Sequence, residues 1–318
     1  MSDGRRDFMA SSDEREYKVR MHDRRTFLKL VTAALAAPAS GLSAQGTPST
    51  GIRKAILISM LPKDRPYAER FAMARTAGFD AIEMQTIARD EDAHEIREAA
   101  VKTGIRIHSV MNMDHWRLPI SSADPDVVSR SVSGMETSLK NAALWGADAV
   151  LLVPAVVDAA TSYRDAYTRS QRVISERLLP MARDLKVAIA VEEVWNKFLL
   201  SPLEFARYVD EFDSPWLKAY FDVGNIVLYA FPQDWIRTLA HRIFKIHLKD
   251  FNFDRPNGKF TWKPIGEGDI DWIEVRKALD DVKYTGYVTT EVSGGDAAYL
   301  ADVAQRVDRF LAGRKPVG

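Results

Sequence analysis

From Lys54 onward the chain alternates short apolar, β-branched runs with longer segments whose apolar positions recur at helical spacing. The runs predict strands at 54–60, 80–85, 105–111, 149–155, 187–194, 217–223, 243–250 and 286–292. Between and after them, helical period predicts helices near 66–77, 90–103, 124–146, 161–184, 201–212, 232–240, 271–282 and 296–313. Asp124-Pro125 and the capping-box sequence Ser201-Pro202-Leu203-Glu204 mark two helix starts. Eight βα units in about 250 residues predict an α/β fold, a (β/α)8 TIM barrel. A doubly wound open sheet has the same alternation, but its Gly-rich turn after the first strand is replaced here by SMLPKDRP. No Gly-, Ser- or Pro-rich linker follows residue 52, so 51–318 reads as one catalytic domain.

Residue parity along these strands adds chemistry. In VAIAVEEV, Val187, Ile189 and Val191 share one face and suit packing on outer helices, whereas Ala188, Ala190 and Glu192 share the face turned to the barrel axis. Glu193 falls on the helix side or in the loop. The same parity groups Tyr220 with Asp222, His247 with Lys245 and Lys249, and Glu291 with Thr289. Glu192, Asp222, His247 and Glu291 thus stand near the carboxyl ends of successive late strands, where barrel enzymes carry their active sites. Buried charges need partners, and three carboxylates with one imidazole and no sulfur form a hard ligand set. Mn²⁺ or Mg²⁺ is the expected ion, with Co²⁺ or Zn²⁺ as substitutes.

Composition removes several alternatives. Lysine plus arginine and aspartate plus glutamate both total 44, and there is no cysteine. Thiolate metal sites, disulfides and a cysteine nucleophile are therefore excluded. The first 50 residues differ from the rest: Arg24, Arg25, Thr26, Phe27, Leu28 and Lys29 form a twin-arginine pattern ahead of a charge-free stretch. The leader's apolar part, Leu30 to Ala37, is interrupted by Pro38 and too short to span a bilayer, which takes roughly 20 residues. Residues 1–50 are expected to be a twin-arginine signal peptide and disordered leader, read by the export machinery, with cleavage near Leu42-Ser43-Ala44 and a periplasmic product. Removing residues 1–44 leaves 36 basic and 38 acidic groups, a charge of −2. Neither nucleic-acid binding nor stable membrane insertion is expected.

The segments AVEEVWNKF, FDVGN, KIHLKDF and TTEVSG stand in order at barrel-repeat spacing. Through them, residues 52–315 or so resemble the sugar isomerase and epimerase superfamily with the xylose-isomerase-like barrel, which includes ketose 3-epimerases, hydroxypyruvate isomerase and inosose dehydratase. The resemblance implies a divalent metal held by Glu192, Asp222, His247 and Glu291, with the two glutamates as an acid/base pair on opposite faces of a carbohydrate. A homo-oligomer fits relatives that form dimers or tetramers. Asn225 stands where ketose epimerases usually have a histidine, which weakens the epimerase reading. Isomerisation or epimerisation of a free ketose or related hydroxy-carbonyl compound through an enediolate is the leading expectation. Elimination from a 3-keto-glycoside or inosose is the alternative.

The resemblance also implies substrate contacts near His108 and Asn112, although His108 is equally a satisfied core histidine. Glu83 reads as a substrate contact or an anchor. Lys249 is a proton donor and oxyanion stabiliser, or a salt-bridge partner of Asp250 or Glu291. Trp116, Trp195 and Trp262 stack on sugar or cover the barrel rim. Residues 252–269 read as a lid without secondary structure. An abasic-site endonuclease shares this barrel, but it needs a histidine-rich zinc cluster and a basic face. A non-catalytic sugar-binding protein does not need two glutamates on a metal.

Overall fold

Eight of the apolar runs form parallel strands that close on themselves in the computed structural model, which describes residues 51–318. They are β1 (Arg53–Leu57), β2 (Ala81–Gln85), β3 (Arg106–Met111), β4 (Ala149–Leu152), β5 (Ala188–Glu192), β6 (Leu217–Asp222), β7 (Ile243–Leu248) and β10 (Tyr287–Thr290). Each pairs with its predecessor, and β10 returns to β1 through Arg53↔Tyr287 to Ile56↔Thr290, so no edge remains. The expected TIM barrel is the observed one. The twin-arginine pattern and the rest of the expected leader lie outside the described residues.

Parity holds in β5. Val187, Ile189 and Val191 join the large core between barrel and helices, whereas Ala190 packs with Leu151 and Tyr220 inside the barrel. The ring of helices is held by apolar stripes at helical spacing. In α3 (Pro125–Trp145) the buried stripe includes Val132, Met135, Leu139 and Ala142, and in α10 (Ala297–Leu311) it includes Leu300, Val303, Ala304, Val307 and Phe310. Gly146 ends α3 with φ of 71°, a conformation that favours glycine.

Three expectations change. The helix expected over 161–184 is α4 (Tyr163–Val173) and α5 (Leu179–Leu185) joined by a π-helical turn, Ile174–Leu178. Pro180 has no N–H to donate, so the chain absorbs the missing hydrogen bond by widening that turn. Residues 252–269 are not structureless: β8 (Asp250–Asp254) and β9 (Lys259–Lys263) form an antiparallel hairpin closed by Gly258 at φ of 62°. Its alternation of Phe251 and Phe253 against Phe260 and Trp262 around Asn257-Gly258 was a readable hairpin signal. The capping box at Ser201 is also absent, since Ser201 makes no side-chain cap bond to α6 (Pro202–Asp210).

Asp124, by contrast, accepts a hydrogen bond from the Asp126 N–H at 2.9 Å and caps α3. Replacing Asp124 by Ala is expected to cost about 1 kcal/mol in urea unfolding, and replacing Ser201 by Ala less than about 0.5 kcal/mol. Equal losses at the two positions would contradict this assignment of caps.

Candidate metal centre and cavity

Four polar side chains meet at the carboxyl ends of β5, β6, β7 and β10. Glu192 is the last residue of β5 and Asp222 the last of β6; His247 lies one before the end of β7. Glu291 follows β10 directly, its N–H donating to the Leu248 carbonyl at 2.9 Å and so prolonging the ladder. One donor atom from each of the four lies within 4.8 Å of the other three. Asp222 is oriented by its own backbone: Oδ1 accepts from the N–H groups of Gly224 and Asn225 at 2.7 and 3.0 Å, capping the short helix α7 (Val223–Val227). That leaves Oδ2 for another partner.

His247 is fixed from below. Its Nε2 lies 3.2 Å from both Glu83 oxygens, so this nitrogen carries the proton. Its Nδ1 then faces Glu192 Oε1 at 3.1 Å and Glu291 Oε2 at 3.0 Å. Glu83 also accepts from Ser109 Oγ at 2.8 Å and from the Tyr220 hydroxyl. It is fully buried beneath the centre, so the alternative of a substrate contact gives way to that of an anchor. The cause is depth: β2 pairs with β3 through a register shift at Ile82/Glu83, and Glu83 sits opposite Ser109 inside the barrel.

The charge balance calls for a cation. Glu83, Glu192, Asp222 and Glu291 gather around His247, with Glu193 behind Asp222, and Lys249 lies among them with Nζ 2.8 Å from Asp222 Oδ2 and 2.9 Å from Glu291 Oε2. Neither contact is aligned as a hydrogen bond, and both oxygens are buried without a hydrogen-bond partner. The Lys249 ammonium and the His247 ring, itself raised well above its ordinary pKa, offset part of this charge, and a carboxylate left uncompensated in low dielectric costs several kcal/mol. Two oxygens held by ion pairs alone, a further carboxylate and an oriented imidazole fit a hard divalent ion.

Burial raises Glu192 to about 7, with His247 opposing the shift. Burial would raise Glu291 too, but Lys249 and His247 outweigh it and hold this carboxyl well below the usual range. For His247, burial favours the neutral ring, yet Tyr220, Glu83 and Glu291 together push it well above its ordinary value. Glu193 is raised well above the carboxylate range by burial and by the neighbouring Glu192 and Asp222. Its Oε1 accepts from the Asp222 N–H at 2.9 Å, so it supports the β6 end rather than reaching the loop.

Above the four donors lies a cavity of about 210 Å³, bounded by Glu192, Glu291, Lys249, Asn225 and the aromatics Trp116, Trp195 and Trp262. The three tryptophans stand at its rim, Trp195 and Trp262 stacked with centroids 5.6 Å apart. Asn225 donates from Nδ2 to the Glu193 carbonyl at 2.9 Å. Lys249 pairs with Glu291 and Asp222; Asp250 instead accepts from Gly266, Gly268 and Trp272. His108 and Asn112 do not line this cavity. His108 is buried deeper, stacked on Tyr287 and 3.0 Å from Thr289 Oγ1, a core histidine whose burial holds it well below its ordinary pKa. Asn112 is buried just past β3, its N–H donating to the Leu151 carbonyl.

His115 was missed by sequence reading and does line the cavity. It lies in the loop after β3, where strand parity gives no guidance; a histidine beside Trp116 was the available signal. Burial lowers it to about 4 against the pull of Glu291 and Asp114, and its Nδ1 has no partner among the described residues.

The profile of the xylose isomerase-like TIM barrel family matches residues 71–310. The chain belongs to that family. Its relatives include L-ribulose-5-phosphate 3-epimerase UlaE of Escherichia coli O1:K1 / APEC, 28% identical over 243 residues, covering 71% of this chain and 81% of the relative. A D-tagatose 3-epimerase-like protein superposes with a TM-score of 0.69 at 18% identity, covering 81% of this chain and 97% of its own. The 3-keto-D-glucoside 4-epimerase YcjR of E. coli does so with a TM-score of 0.65 at 17% identity, covering 79% and 97%. At those identities the structural likenesses speak to the shared fold.

Two outcomes test this centre. Glu83→Gln frees the His247 ring and is expected to weaken Mn²⁺ binding about 10- to 100-fold by calorimetry; unchanged affinity would show that Glu83 does not orient the ligand. His115 is held in the folded state below its unfolded pKa of about 6.5. Its stabilising contribution is complete above pH 6.5 and is lost as pH falls toward 4, by about 3 kcal/mol at most. His115→Gln should flatten the decline of unfolding free energy over that window, and an unaltered slope would remove His115 as its source.

Proposed function

We propose that this protein is a divalent-metal-dependent sugar isomerase or epimerase acting through an enediolate on a free ketose or related hydroxy-carbonyl compound. The observation that carries the reading is the convergence of four donor atoms within 4.8 Å beneath a cavity that Glu192 and Glu291 both line. Sugar epimerases among the relatives, by their names, support the same class. Glu192, Asp222, His247 and Glu291 are the residues to hold the ion, with Mn²⁺ or Mg²⁺ best suited to the oxygen-rich set and Co²⁺ or Zn²⁺ as substitutes. When bound, a divalent cation supplies the Lewis acidity that stabilises the anion left when a carbon beside a carbonyl loses its proton.

The protein's own groups perform the proton transfers. Glu192, raised toward neutrality by burial, takes a proton from that carbon, and Glu291 returns one to the opposite face, or the reverse. Glu83 keeps His247 from turning, and Trp116, Trp195 and Trp262 offer apolar faces to the sugar ring and exclude water. A free sugar suits this cavity better than a phosphorylated one, because its only cationic lining group among the described residues, Lys249, is already paired with Asp222 and Glu291. The same lysine favours a second reading: lying 2.9 Å from Glu291 at the cavity wall, it is placed to give a proton to a departing oxygen in elimination from a 3-keto-glycoside or inosose. Export by the twin-arginine pathway to the periplasm belongs to the proposal, tested by retention of an Arg24→Lys/Arg25→Lys double variant in the cytoplasm.

Chelation is expected to abolish turnover, and Mn²⁺ to restore it. Glu192→Gln and Glu291→Gln should each lower kcat by about 10²- to 10⁴-fold. In deuterated water, deuterium on a carbon beside the carbonyl of reisolated sugar marks epimerisation or isomerisation, and loss of water or aglycone marks elimination. Turnover that survives both chelation and the glutamate substitutions would sink the proposal.

A further inference from the structure

A second chamber of about 570 Å³ opens beside the first, and the two share Lys249, Trp262 and Glu291 as a common wall. It lies between the segments that follow β1 and β10 and the root of the β8–β9 hairpin. Its remaining lining includes Leu57, Ser59, Lys263, Val292, Ser293 and Tyr299. The first chamber, at about 210 Å³, falls below the roughly 300–1,000 Å³ typical of sites for drug-sized ligands and suits a single sugar ring. The second lies within that range and is used by no step described above.

The chamber walls are set by close backbone packing. A Cβ on Gly294 would stand 2.5 Å from the Met60 carbonyl oxygen, and one on Gly268 would stand 2.1 Å from Asp250 Oδ1. Those approaches press the loop after β10 onto the turn after β1, and the end of the hairpin connection onto Asp250. Asp250 is itself a lining residue, tied through Oδ2 to Gly266, Gly268 and Trp272, while Oδ1 is buried without a partner. The lining therefore combines aromatic faces with the hydroxyl groups of Ser59, Ser293 and Tyr299, and its charges balance: Lys249 and Lys263 against Asp250 and Glu291. An anion finds no net attraction there. A neutral, hydroxyl-rich ring finds stacking surface in Trp262 and Tyr299 and acceptors for its hydroxyls.

We infer that the second chamber is a subsite for a sugar ring joined to the reacting one, so that the substrate class is a carbonyl-bearing disaccharide or glycoside rather than a lone monosaccharide. The inference rests on the sugar isomerase or epimerase reading above and narrows its substrate. Trp262, shared by both chambers, stands where the two rings are linked.

The test compares one- and two-ring probes on the Mn²⁺-loaded protein, by turnover and by calorimetry: D-fructose against lactulose and isomaltulose, and 3-oxo-glucose against 3-oxo-cellobiose. At least one two-ring probe is expected to bind about tenfold or more tightly than its one-ring parent, with a matching gain in kcat/KM where turnover occurs. Ser293 is exposed at the chamber wall, and Ser293→Trp should cut that preference by about tenfold. One-ring sugars turned over without any preference for two-ring probes would overturn the subsite and leave the proposed function standing. Tighter binding of two-ring probes with no turnover of any sugar would keep the subsite and overturn the proposed function. A two-ring preference unmoved by Ser293→Trp in a folded variant would place the second ring elsewhere and overturn the inference; if the variant does not fold, the wild-type comparison decides alone.

Discussion

Like charges held together out of water constrain this protein more than any other interaction. Glu83 from below and Glu192, Asp222 and Glu291 toward the mouth of the barrel surround one imidazole, with the ammonium of Lys249 among them and Glu193 behind Asp222. Such a cluster destabilises the fold unless hydrogen bonds and cations offset it. Much of the upper barrel serves that need. Ser109 and Tyr220 hold Glu83, α7 holds one oxygen of Asp222, and the Asp222 N–H holds Glu193. The oxygens left without an aligned hydrogen bond, Asp222 Oδ2 and Glu291 Oε2, are the two that Lys249 pairs with and that a metal would claim.

Periodicity made the barrel legible because strand and helix repeats differ and the core is wide enough to enforce both. Parity carried further, to the inward direction of Glu192, Asp222 and His247, since a barrel buries one face of every strand. It failed in two ways. It gives direction but not depth, so Glu83 and His108, both in the barrel interior, lie a layer below the cavity. Beyond the strand ends it gives nothing, which is why His115 escaped notice while the neighbouring Trp116 was chosen only for being aromatic. The hairpin was missed for a different reason: its two strands are short, and Phe253 to Phe260 contain a proline and a glycine that read first as loop.

That hairpin links the candidate metal centre to the surrounding cavity. Phe251, Phe260 and Trp262 pack with Trp195 into one aromatic cluster, with ring centroids 4.8 to 6.2 Å apart. Trp195 is anchored through its Nε1 donating to the Asn225 carbonyl, at the helix whose cap is Asp222. The residues that line both chambers are thus tied by contact to a candidate donor residue, so a substrate's shape and a cation's binding would draw on the same few side chains. Lys249 lies 5.7 Å below the Trp262 ring, so movement of that ammonium is felt on both sides of the wall.

The central claim is that these oxygens and this imidazole share one cation. Anomalous diffraction at the manganese edge from crystals of the Mn²⁺-loaded protein tests it most directly. The account predicts a single strong peak about 2.0–2.3 Å from one atom each of Glu192, Asp222, His247 and Glu291, with the Lys249 ammonium moved away from the oxygens it pairs with here. No peak among the four, with Lys249 still seated between Asp222 and Glu291 at saturating Mn²⁺, would contradict it.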